Sequence, residues 1–196
     1  MQIGLNFFRQ KLIFKPENER REIEDNENFP PFVIAFNKYL KENNTIILQK
    51  DFFKYYCKLN FNNSVVNAII TNRETCRALE TRILRAYPSY VRDVLLYENL
   101  KRRGLNVVFN EEQDLKGIDI TYINKKGKEI YIHCYVQSAS GEHYRQIKKE
   151  FRHNYEDRIN LELKLNRSYC RNFGDFKFYR SSQIENLIKK AEAIGD

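Results

Sequence analysis

The sequence predicts an α/β core preceded by an all-helical extension, and three observations lead there. Apolar residues recur with a helical period from Pro31 to Arg103, then with a period of two after Gly104. A chain of 196 residues has room for one ordinary domain and an extension, and 42% hydrophobic with 14% aromatic residues can build its core. Seven glycines and four prolines are too few for a sandwich with many tight turns, or for flexible linkers.

Residues 1–15 read as a short strand or arm carrying Leu5, Phe7, Phe8, Leu12, Ile13 and Phe14. The stretch 17–27, ENERREIEDNE, holds six acids and two arginines for a net −4. With almost no apolar residue, it reads as a linker or mobile loop up to Phe29-Pro30-Pro31. Helices follow. Phe32, Ala35, Phe36, Tyr39 and Leu40 make a core-facing stripe, and Phe52, Phe53, Tyr56 and Leu59 repeat it. Thr71 and Glu74 form a T-x-x-E capping box ahead of a helix through Leu79, Ile83 and Leu84. Pro88 marks a boundary and opens a new helix that runs to Arg103 and stops at Gly104. The predicted division is therefore an arm, linker and helical extension over 1–88 and an α/β core over 89–196.

Within that core, residues 105–109 (LNVVF) and 118–123 (IDITYI) read as strands, and Asn124-Lys-Lys-Gly127 as a hairpin turn. A third strand, 129–137, alternates: Ile130, Ile132, Cys134 and Val136 face one way, and Tyr131, His133, Tyr135 and Gln137 the other. A basic helix over 140–153, strands in RINLELKLN and DFKFYR, and a final helix opened by a Ser182-x-x-Glu185 capping box complete the order.

Charge points to the partner. Lys and Arg outnumber Asp and Glu by 34 to 26, a net +8, and outside the acidic stretch the surplus is +12. Phosphates reward such a surplus through counterion release, so nucleic acid is the expected partner, although Lys-, Asn- and Ile-rich composition also arises in AT-rich genomes. Cys57, Cys76, Cys134 and Cys170 show no C-x-x-C spacing and read as free buried thiols in a reducing cytosol; structural zinc is not supported. No apolar run reaches the roughly 18–20 residues of a membrane helix, and the first residues lack a secretory leader. A soluble, unprocessed cytoplasmic protein is expected. The chain has no Gly-rich phosphate loop and no G-x-S-x-G elbow, and His133, His143 and His153 are spaced too widely for ligands one helical turn apart.

From Pro88 to Gln137, an opening helix ends at a glycine, a short strand follows, Gly117-Ile118-Asp119-Ile120 opens a second strand, and a hairpin leads into a third. This order resembles the core of the PD-(D/E)XK nuclease-like superfamily, the restriction-endonuclease-like fold. The resemblance implies a helix-βββ-α-ββ-α core with a mixed sheet, and a Mg²⁺-dependent nuclease acting on nucleic acid, DNA before RNA, in restriction, phage defence or mobile elements. It makes Asp119 a catalytic metal ligand, joined by Asp93 or, as second choice, Glu98 from the opening helix. The family's (D/E)-x-K positions fall on His133 and Tyr135, and neither residue matches. A second carboxylate and a lysine that helps activate water are thereby missing from the strand. Gln137 could orient a water, and Lys148 or Lys149 on the next helix could supply a migrated lysine. Arg82, Arg85 and Arg92 flank Tyr87 and Tyr90, Lys101-Arg102-Arg103 closes the opening helix, and Arg145, Lys148, Lys149 and Arg152 follow the third strand. Of these, Arg92, Lys101, Arg102, Arg103, Arg145, Lys149 and Arg152 are the candidate phosphate contacts. The alternative is a nuclease-like module without catalysis that binds nucleic acid or a protein, a second copy of the chain included.

Overall fold

A computed structural model of the chain describes residues 5–24, 26, 28–109, 117–138, 142, 146 and 158–195. Helices α1 (Arg21–Glu24), α2 (Phe32–Asn43), α3 (Gln49–Leu59), α4 (Ser64–Ile70) and α5 (Arg73–Arg102) precede strands β1 (Asn106–Val108), β2 (Ile120–Ile123), β3 (Glu129–Val136), β4 (Ile159–Leu165), β5 (Arg171–Phe173) and β6 (Phe176–Phe178), and helix α6 (Ser181–Ala193) follows. Two compact units result: Met1–Val91 with Gly174–Phe176, and Arg92–Phe173 with Lys177–Asp196. Among the described residues no helix is long and apolar enough to cross a membrane.

In the first unit, residues 1–15, read as a short strand or arm, hold a 3-10 turn at Leu5–Arg9 and no strand among the described residues. The acidic stretch forms a 3-10 turn at Pro16–Asn18 and the short α1, with Glu19 and Glu24 both hydrogen-bonded to Arg85. The core here is aromatic. Phe36 meets Phe52 edge-on at 5.6 Å, and Phe32 meets Tyr56 at 5.0 Å. Thr71 closes α4, and the cap of α5 is Asn72, whose Oδ1 accepts the Glu74 and Thr75 N–H groups at 2.9 and 3.3 Å.

Pro88 does not start a helix; it lies inside α5, which runs unbroken for 30 residues. A proline has no N–H to give the carbonyl four residues back, here that of Leu84. Gln49, buried at the start of α3, supplies the missing donor: its Nε2 reaches Leu84 O at 2.9 Å and Ile13 O at 3.1 Å. The helix ends as expected. Gly104 has φ +76°, its N–H bonds Lys101 O, and the Leu105 N–H bonds Leu100 O. This paired closure needs a left-handed residue, which glycine adopts without cost.

The second unit is built on a mixed four-stranded sheet of order β1-β2-β3-β4. β1–β2 and β2–β3 are antiparallel, and β4 runs parallel to β3 with Ile132 opposite Leu161. One face carries Ile120, Tyr122, Ile130, Ile132, Leu163 and Leu165 against Leu96 and Leu100 of α5 and Ile184 and Leu187 of α6. The DFKFYR strand does not join this sheet: β5 and β6 form a separate two-stranded one. Helix α6 starts one residue earlier than Ser182, with Gln183 Oε1 accepting the Arg180 N–H at 3.0 Å. Of the helix expected over 140–153 only Glu142 and Gln146 are described, both helical.

Candidate functional site

Two carboxylates are buried in the second unit, and both act on Arg92 and Cys134. Asp93 comes from α5, where it follows Arg92, and both side chains are buried with Arg92 Nε 3.7 Å from Asp93 Oδ1. Asp119 comes from the turn just before β2. Register pairs Ile120 with Ile132, so an unbroken antiparallel ladder would set Asp119 opposite His133. The ladder slips there by one residue. The Asp119 N–H donates to Ile132 O at 3.1 Å, and its Oδ2 accepts the Cys134 N–H.

That slip sends Asp119 to the side occupied by Asp93, Arg92, Cys134 and Tyr179. The Cys134 thiol is held well above its ordinary range, first by burial and then by the Asp93 and Asp119 carboxylates. Tyr179 is buried, donates its O–H to Leu163 O at 3.3 Å, and has its hydroxyl raised by burial and then by Cys134. The Arg92 guanidinium lies 6.0 Å from the centre of the Tyr179 ring. Burial disfavours its charge, but Tyr179, Asp93, Cys134 and Asp119 together outweigh that and raise its pKa. The result is a closed group of two carboxylates and one permanent cation, beside a thiol kept protonated and therefore not nucleophilic.

The other expected site residues lie elsewhere. His133 belongs to the opposite face of β3, where Nδ1 is 2.8 Å from Gly117 O and Nε2 is 2.7 Å from Asn160 Oδ1. Tyr135 is on that face too, its ring 5.5 Å from the Lys164 ammonium. Gln137 is exposed beyond the end of β3. Glu98 is five residues from Asp93, a rotation of about 140° on one helix, so it does not share the Asp93 face. Arg92 cannot touch phosphate from where it sits: only 5% of it is exposed, because its charge serves the interior pair. Lys101, Arg102 and Arg103 are at the surface, with Lys101 5.7 Å from the Tyr97 ring centre and Arg103 bonded to Asn99 and 3.9 Å from Glu185. Arg145, Lys148, Lys149 and Arg152 lie outside the described residues.

Cys134 and Tyr179 are the members sequence reasoning missed. Alternation did place Cys134 on the Ile130–Ile132 face; what hid its role was the slip that turns Asp119 toward it. Tyr179 had no signal in the sequence, following β6 directly.

A divalent ion held by Asp93 and Asp119 would need further oxygen donors or water around it. The group here instead supplies a guanidinium, a protonated thiol and a buried phenol. As arranged, this donor set suits Arg92 and does not suit Mg²⁺. Comparison with known proteins found no matching family model, curated protein or solved structure.

Proposed function

We propose that this chain is a nuclease-like module that binds nucleic acid, DNA before RNA, without cleaving it. The observation that carries the reading is the buried guanidinium beside Asp93, with Asp119 bearing on the same cation. In a phosphodiesterase of the resembling superfamily, such carboxylates must stay open to a metal and to the scissile phosphate. Here one buried guanidinium offsets part of their charge, and the β3 residues of that face, Ile130, Ile132, Cys134 and Val136, include neither carboxylate nor ammonium. The net charge of +8 supports an anionic partner.

The test combines two assays on labelled single- and double-stranded DNA and RNA: cleavage with Mg²⁺ or Mn²⁺, and binding in EDTA. Binding that persists in EDTA, with no cleavage in either metal, is the expected result. Metal-dependent cleavage that disappears in Asp119→Asn, with the variant still folded, would overturn it. It would establish the second reading, a metal-dependent nuclease with a rearranged site. What favours that reading is that Asp93 and Asp119 both act on Arg92 and Cys134.

A further inference from the structure

We infer that the nucleic-acid contact surface lies on the β2–β3 hairpin and the adjoining end of α6, a placement that rests on the binding reading above. The hairpin turn carries Lys125, Lys126 and Lys128, and the last turns of α6 carry Lys189 and Lys190. All five are exposed.

One buried side chain joins the two elements. Asn124 Nδ2 donates to Ala191 O and to Ile194 O, each at 3.0 Å, at the end of α6 where Ala191 O also accepts the Ile194 N–H at 3.4 Å. Its Oδ1 accepts the Lys126 N–H at 3.0 Å and the Lys128 N–H at 2.9 Å. The turn closes with Gly127 at φ +75° and its N–H on Asn124 O at 2.9 Å. Two side-chain hydrogen bonds therefore fix the turn to the end of the helix and two more close the turn itself, so the lysine backbones are held in place rather than carried on a loose loop. A rigid frame lowers the ordering cost of binding. The Lys126 and Lys128 side chains both lie beside Gly195, at the tip of the same surface.

Lys189 and Lys190 have a second explanation, since cations offset the negative end of a helix dipole. That does not account for the three hairpin lysines, which belong to another element. Among the described residues, Glu129 on β3 and Glu192 on α6 are acids of these two elements. Glu192 is turned to the Tyr122 hydroxyl and the Lys125 N–H, so much of its charge is used within the fold. The balance is a compact positive surface whose chemical complement is a run of phosphates.

The experiment compares three proteins by fluorescence anisotropy on a labelled duplex of about 20 base pairs and its single strand, between about 50 and 200 mM salt. They are the native chain, the triple variant Lys125→Ala/Lys126→Ala/Lys128→Ala, and a control that removes three exposed lysines from α3, Lys50→Ala/Lys54→Ala/Lys58→Ala. The hairpin variant should lower the slope of log K against log salt by about two to three units and weaken binding about tenfold or more at 100 mM salt. The α3 variant should keep most of the native slope. Circular dichroism of each variant confirms that the fold is retained. Native-like binding by the hairpin variant, or an equal loss in the α3 variant, overturns the surface while leaving the binding reading in place. A native chain that binds no nucleic acid at 50 mM salt, or binds only anionic lipid vesicles, overturns the reading itself.

Discussion

Arg92 and Asp93 are neighbours in the sequence, and nothing in that adjacency announces that both are buried. A buried charge is tolerated only when paired, and removing one partner of a buried pair costs about 3–5 kcal/mol because the other is left uncompensated. Arg92→Leu should lose that much stability in urea unfolding, and Arg92→Leu/Asp93→Asn should regain part of it. A loss below ~1 kcal/mol would mean that Arg92 does not hold the two carboxylates. The thiols give a pH test. Burial, then Cys76 and Glu80, pushes Cys57 up to about 12, and Cys134 is also raised well above its ordinary value. In the unfolded chain both ionise near 8.5. Above that pH the unfolded state releases protons that the folded state keeps, so folding stability should fall as pH rises from ~8.5 toward 12, by up to about 1.4 kcal/mol per unit for each thiol. At pH 8.5, iodoacetamide should label Cys57 and Cys134 slowly in the native protein and quickly in urea. Equal rates would contradict the burial.

The long helix α5 depends on a side chain from α3. Sequence reasoning ends a helix at Pro88, correctly for an isolated segment, since the proline removes a donor. Gln49 restores that donor to Leu84 from 35 positions away, which no local pattern can reveal. Gln49→Leu should therefore cost about 1–3 kcal/mol, the penalty of an orphaned buried carbonyl. In Pro88→Ala the new N–H can serve Leu84, so the same Gln49→Leu change should cost less in that background. A double-mutant cycle checks this, and full additivity would sink the idea. At the other end of α5, Gly104 was legible because a left-handed closure after Lys101-Arg102-Arg103 has one favoured residue. An added Cβ there meets nothing within 4 Å, so Gly104→Ala should cost only the backbone strain, about 1–2 kcal/mol, measured by thermal unfolding.

Across the chain as a whole, charge is divided between an acidic stretch and a basic remainder, and the structure uses part of the acid internally. Glu19 and Glu24 bond Arg85, and Glu74 pairs with Arg20, in partly or fully exposed positions. Such pairs contribute little to stability, of order 0–1 kcal/mol each. Glu19→Gln/Glu24→Gln should thus lower stability by less than about 2 kcal/mol while raising the net charge from +8 to +10. Affinity for duplex DNA should rise a few-fold at low salt, and the gain should shrink near 200 mM as screening shortens. Unchanged affinity at low salt would show that the acidic stretch does not oppose the anionic partner.

What the sequence determined by itself rests on short-range rules. Periodicity separated the helices from the strands, Gly104 placed the change between them, and Asn124 to Gly127 fixed the hairpin, because dihedral preferences and alternation act within a few residues. Asp93 and Asp119 were legible as a pair only by likeness of element order. Tertiary structure decided the rest. A one-residue slip in the β2–β3 ladder took Asp119 away from His133 and toward Cys134, and burial turned Arg92 from a surface cation into the partner of Asp93. Gln49 bridged the proline, and the β5–β6 pair left the main sheet. The Gln49 bridge and the Asp119–Cys134 bond each satisfy a backbone group with a side chain distant in sequence, and that choice exists only once the elements are packed.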